Sequence, residues 1–137
     1  MNTQHLNRQR LMTAWSDERR ASRAATRGHD LPTAWAHLER AHILSQPMAG
    51  PHVRTHLAML RFAVRNRRAR EVAGQLFRTM VAAPGTWSGR YPVGNTGGAD
   101  VSAFAPMAVP ADLKRLLEPD RQVERSDDVV EVPVLRV

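Results

Sequence analysis

The chain has 137 residues, 42% of them hydrophobic, and carries a formal net charge of +7 with no cysteine. That length is one ordinary domain, and the apolar share excludes wholesale disorder. Without cysteine there are no disulfides and no thiolate metal sites, so any metal must rest on nitrogen and oxygen ligands.

The first predicted helix covers about Thr3 to Arg27. It has no internal proline or glycine, and Leu11, Trp15, Ser22 and Ala25 fall on one side of it. Gly28 reads as its C-terminal cap. Asp30 before Leu31-Pro32 is a cap followed by a first-turn proline, and it opens a second helix to about Ser45. Pro47 to Gly50 is a tight connection, and Pro51 restarts a third helix to about Arg67. So short a link makes the second and third helices antiparallel neighbours. A fourth helix spans roughly Arg68 to Ala83, with Val72, Leu76 and Met80 on one face, and no proline or glycine marks its start.

Composition changes at Pro84. Residues 84–110 hold five of the eight glycines and four of the nine prolines, together with Trp87, Tyr91 and Phe104. A long segment with such apolar groups is expected to be ordered, wrapped on the helices and able to shield what lies beneath. Pro110 to Glu118 reads as a short helix carrying Leu113, Leu116 and Leu117. From Pro119 the chain is charged and then alternates from Val129, which suits a dispensable tail or a strand pairing with a second chain. The expected fold is therefore all-α: a small domain over 1–118, of about four helices built on an antiparallel hairpin, with a Gly/Pro-rich loop over 84–110, a short C-terminal helix and a tail over 119–137. Two stacked helical hairpins resemble tetratricopeptide geometry, although the sequence has no convincing repeat.

Chemistry concentrates in the second and third helices. At about 100° per residue, Trp35, Glu39, His42 and Gln46 form one stripe, and His52, His56, Met59 and Ala63 form another. Folding the helices about Pro47 to Gly50 brings His42 and Gln46 level with His52 and His56, and Glu39 level with His56 and Met59. Side chains at i, i+3 and i, i+4 share a helical face, so Glu39 and His42 can meet His52 and His56 without strain. One carboxylate and three imidazoles suit a divalent ion: zinc first, then nickel, copper or iron. A single E-x-x-H is half of a di-iron signature, and H-x-x-x-H without an inner glutamate is not a metalloprotease motif. The plainer alternative is a packed histidine core in which Glu39 serves His56 as hydrogen-bond partner. His37 lies off the stripe and reads as solvated.

The remaining features are weaker. Residues 1–83 carry 14 basic and 5 acidic side chains, a net of +9, whereas residues 84–137 carry 6 and 8, a net of −2. The basic half could meet an acidic protein or nucleic acid, or the acidic tail could neutralise it. Nineteen of the twenty basic residues are arginine, a bias that also fits a GC-rich genome. Arg65 to Arg70 is the densest basic run, and no aromatic residue interleaves it for base stacking. Gly94-Asn95-Thr96-Gly97-Gly98 lacks the strand and lysine of a phosphate loop and reads as a turn with positive φ angles. Met48, Met59 and Met80 read as core filler. No nucleophile motif is present. The polar start, Met1 to Met12, lacks a secretory h-region, and no apolar run approaches a membrane span, so the expected compartment is the cytoplasm.

Trp35 to Leu44 and His52 to Leu60 resemble an uncharacterised bacterial family, domain of unknown function 3703. Gly94 to Phe104, with Pro106-Met107 and Pro110, is similar to that family's C-terminal signature. The resemblance covers roughly residues 30–117 and implies a small helical protein with no established activity, cofactor or partner. The residues themselves rank a metal-binding or metal-handling protein first, with Glu39, His42, His52 and His56 as ligands in a structural or sensing role. A helical interaction module for an acidic partner follows, and an enzyme using the cluster as an acid–base or open metal site ranks last.

Overall fold

Spacing of apolar residues and the placement of caps give five helices. The computed structural model describes residues 3–89 and 91–118, so the expectations for the tail from Pro119 lie outside the described residues. The helices are α1 (Thr3–Arg27), α2 (Leu31–Ser45), α3 (Ala49–Arg65), α4 (Ala69–Trp87) and α5 (Ala111–Leu117). No strand occurs among the described residues. Among the described residues no helix is long and apolar enough to cross a membrane.

Helices α1 and α2 pack as one hairpin, α3 and α4 as a second, and α2 against α3 joins them. The cap at Asp30 is as the sequence predicts: its side chain accepts from the Thr33 N–H at 3.1 Å, with Pro32 in the first turn. The C-terminus of α1 differs from expectation. Gly28 continues the helical bonding to Ala24 O, and His29 takes the left-handed position at φ 60°. The bonds from Asp30 N to Ala25 O and from His29 N to Thr26 O close the end in a Schellman arrangement. The same device separates α3 from α4 around Arg67 at φ 54°, with Arg68 N bonded to Ala63 O. A full break thus occurs without glycine or proline, because two backbone bonds offset the cost of a left-handed L-residue.

The apolar stripe of α1 works as expected: Leu11 and Trp15 are buried with Ala41, Ile43, Leu44, Met48 and Leu113. Leu113 fastens α5 to this cluster, and Arg40 bridges Glu18 of α1 and Asp112 of α5. A second cluster holds Ala34, Leu38, Met59 and Phe62. Arg68 of the basic run lies over the rings of Trp35 and Phe62. His37 is not freely solvated, since its Nδ1 lies 2.6 Å from Glu18 Oε2.

Two expectations about apolar residues are overturned. Helix α4 buries Gln75, Arg78 and Ala82 and turns Leu76, Phe77 and Met80 to solvent, so Met80 is not core filler. The helix also runs through Pro84 to Trp87, and the connecting segment begins later than composition suggests. Trp87 is 79% exposed and Phe104 72%, so these aromatics do not anchor that segment. It is held by polar bonds. Asn95 is fully buried, and its side-chain amide donates to the carbonyls of Ser102 and Ala105. Gln46 donates to Pro92 O at 2.7 Å and accepts from Gly94 N at 3.1 Å. The reason for both differences is the same: the inner face of α4 and the segment after it are committed to a buried polar centre.

Candidate metal centre

The turn from Gln46 to Met48 folds the end of α2 onto the start of α3, so that stripes drawn on separate helices meet. His42 Nε2 lies 2.9 Å from His52 Nε2 and 3.1 Å from His56 Nε2. The three rings are tilted to one another with centroids 4.6–5.0 Å apart. All three histidines are buried, and their candidate ligand atoms lie within 4.8 Å of one another.

The partners of the other ring nitrogens fix the tautomers. His42 Nδ1 lies 2.7 Å from the carbonyl of Asn95, which can only accept, so this nitrogen carries the proton. His56 Nδ1 lies 2.8 Å from Gln75 Oε1. The orientation of that amide is set by its nitrogen, which donates to Glu71 Oε1 and Gly97 O. His52 Nδ1 lies 2.8 Å from Thr86 Oγ1, whose own proton goes to Gln46 O. Each Nδ1 therefore donates, and each Nε2 presents a lone pair to the shared centre. The lone pair of His42 Nε2 faces those of His52 and His56 at 2.9 and 3.1 Å without a proton between them, and such pairs repel. A cation at the centre converts the repulsion into coordination. A tetrahedral ion with bonds of about 2.05 Å needs nitrogens about 3.3 Å apart, so the two His42 pairs need to open by only a few tenths of an ångström.

The electrostatics agree. Burial, then the charges of His56 and His52, hold His42 well below the usual imidazole range. Burial and His56 push His52 down to about 3, and burial takes His56 down to about 4. All three are neutral at pH 7, as ligation requires. Around them Glu71 accepts from Gln75 and Gln75 accepts from His56, a chain of bonds that orients the His56 ring.

The structure brings together three of the four residues expected as ligands. Glu39 lies apart. Its Oε1 accepts from Trp35 Nε1 at 3.0 Å, and it is neither a fourth member of the cluster nor a hydrogen-bond partner of His56. Burial raises the Glu39 pKa, opposed by the Trp35 bond and reinforced by Asp100 and Glu71. The three histidines also line a pocket of about 430 Å³, together with Arg78, polar Gln46, Ser88 and Asn95, and a larger apolar share of wall. Met48 and Met59 are core residues, as expected.

The chain matches the family described as Protein of unknown function (DUF3703) over residues 9–117. It belongs to that family. No curated protein and no solved structure matches it. The family match contains the whole centre, from His42 through Gln75 to Asn95 and Gly97, so the DUF3703 fold is the frame on which the three imidazoles are mounted.

Gln75, Asn95, Gly97, Thr86 and Arg78 were not predicted as parts of the site. One signal for two of them was present: Glu71, Gln75, Arg78 and Ala82 repeat the i, i+4, i+7, i+11 spacing of the stripes in α2 and α3. Asn95 and Thr86 carry no such signal, because one acts through its backbone carbonyl and the other through a single hydroxyl.

Acid should unfold the metal-free protein early. The unfolded chain takes up a proton on each histidine near pH 6.5, whereas folded His52 and His56 resist protonation until about 3 and 4. Between these limits the unfolded state binds more protons, so stability is full above pH 6.5 and falls as pH drops below it. Each histidine contributes up to about 1.4 kcal/mol per pH unit. Thermal melts of chelated protein from pH 8 to pH 4.5 should show a steep decline below 6.5. A flat profile would mean that the three rings are not held neutral.

Proposed function

We propose that the protein binds one divalent metal ion through Nε2 of His42, His52 and His56, as a metal-binding or metal-handling protein whose fourth coordination position faces the pocket. The observation that carries this reading is the commitment of all three Nδ1 atoms as donors, which leaves three convergent lone pairs. Three neutral imidazoles suit zinc first, then nickel, copper and iron(II). Three protein ligands beside an accessible cavity fit an exchangeable site better than a closed structural one. The test is calorimetric titration of chelator-treated, untagged protein with zinc, nickel, copper, iron(II) and manganese. One equivalent of at least one metal is expected, and failure of all five leaves a packed histidine core.

The amide of Gln75 orients His56 and can be tested separately. Replacing Gln75 with leucine should weaken metal binding about 10–100-fold without changing stoichiometry. Unchanged affinity in a folded Gln75→Leu protein would show that the amide has no such role.

A second reading rests on a different face. A groove of about 810 Å³ between α1 and α3 is lined by Arg19, Arg23, Arg27, Arg54, Arg61 and Arg65, with no acidic residue in its wall. Its floor includes Leu38, Leu57 and Phe62. Burial and the positive charges of Arg23 and Arg54 lower the Arg19 pKa. This groove supports an interaction module for an acidic peptide with apolar anchors. Fluorescence anisotropy with a labelled peptide of alternating glutamates and leucines should detect salt-sensitive binding that Arg54→Glu with Arg61→Glu removes. Preference for a single-stranded oligonucleotide would assign the groove to nucleic acid instead.

A further inference from the structure

Helix α4 turns polar side chains inward, and Arg78 is the charged one among them. As a residue Arg78 is only 6% exposed. Among the described residues its one hydrogen bond is from Nη2 to the carbonyl of Val101. Glu71 and Asp100 act on it through their charge, but among the described residues no carboxylate lies within 4.0 Å of the guanidinium. The guanidinium nitrogens that make no hydrogen bond are not sealed from solvent, so they are donors free to take an anion in place of water. Arg78 lines the same pocket as His42, His52 and His56. Two cationic groups, the guanidinium and a metal on the three imidazoles, would then face one cavity.

We infer that this pocket is a subsite for a small monocarboxylate with an apolar body, its carboxylate shared between the open metal position and Arg78. The inference rests on the metal reading proposed above. Two features select this ligand class. A guanidinium presents a planar pair of donors that matches a carboxylate. The rest of the wall is largely apolar, with Met80, Ala82, Pro84, Tyr91 and Phe104, and suits a hydrocarbon or aromatic body better than a strongly hydrated dianion such as phosphate. Met80 and Phe104 line this pocket with more than two thirds of their own surface in solvent. A ligand whose apolar end leaves the pocket past them would cover part of that surface.

Cobalt(II) reports the test, because its visible absorption responds to a change of ligand at an open position. Chelated protein is loaded with one equivalent of cobalt and titrated with acetate, hexanoate, benzoate and inorganic phosphate. Saturable spectral changes are expected with hexanoate and benzoate, at concentrations well below those needed for acetate or phosphate. Arg78→Met should retain one equivalent of cobalt and weaken hexanoate binding about tenfold or more. Phe104→Ala, at an exposed position, should weaken hexanoate but not acetate, and it keeps the inference testable if Arg78→Met does not fold. Full cobalt loading without any carboxylate response, phosphate binding tighter than hexanoate, or unaltered hexanoate binding in both variants overturns the subsite alone. Failure to bind cobalt together with zinc, nickel, copper, iron(II) and manganese overturns the metal reading and this inference with it.

Discussion

Replacing His52 and His56 together with alanine is expected to abolish metal binding and every thermal effect of metal on the protein. In the wild type, metal at a hundredfold excess over its Kd should stabilise the folded state by about 2.7 kcal/mol, because only the folded chain presents the three Nε2 atoms together. For a chain of this length that corresponds to a rise in Tm on the order of 10 °C. The double variant loses two of three ligands, and the remaining His42 cannot hold an ion alone. The metal-free proteins should differ much less than the loaded ones. Alanine leaves a cavity where each ring was, but it also removes lone pairs that repel across 2.9 and 3.1 Å. The decisive comparison is therefore the metal-dependent shift in Tm, measured by scanning calorimetry with and without chelator. A shift that survives in the double variant would locate the metal elsewhere, with His5, His29 or the carboxylates as the next candidates.

Gly97→Ala should damage the centre without touching a ligand. Gly97 has φ +82°, in the region that L-residues avoid, which alone costs about 1–2 kcal/mol. A Cβ there would sit 2.8 Å from His42 Cγ and 2.9 Å from its Nδ1. The ring cannot retreat freely, because the Asn95 carbonyl holds Nδ1 and the other two imidazoles lie across the centre. The Gly97 carbonyl also accepts from Gln75, so a shifted backbone would loosen the amide that orients His56. The expected outcome is a Tm lowered by at least about 3 °C and metal affinity reduced about tenfold or more. Gly50→Ala is the matching control. That glycine lies in the first turn of α3 with nothing within 4 Å of an added Cβ, so alanine should be neutral or mildly stabilising. Wild-type affinity in Gly97→Ala would show that the contact between the segment and His42 is not required.

Local chemistry was enough to read the helices and half of the centre. Apolar spacing, the Asp30 cap and Pro32 located α1 and α2, and a short link required α2 and α3 to be neighbours. Helical periodicity then put His42 opposite His52 and His56, since stripes at i, i+4, i+7 on adjoining helices must face one another. The same logic included Glu39, and there it met its limit. Periodicity assigns a residue to a face but not to a partner, and the indole of Trp35, one turn earlier on α2, took the carboxylate.

What only the tertiary structure decided is the polarity of α4 and the path of the segment after it. Leu76 and Met80 have the spacing of a buried face, but the helix must satisfy two buried imidazoles, His52 and His56, and the backbone that covers them. Gln75 and Arg78 therefore turn inward, and the apolar residues go to solvent. Trp87 and Phe104 failed as anchors for the same reason: a buried polar group without a partner costs more than an exposed aromatic ring. Asn95, Gln46 and Gln75 close that network through carbonyls and amide groups. A backbone carbonyl belongs to every residue, so the sequence marks none as the one that will hold a ligand; the fold alone makes that choice.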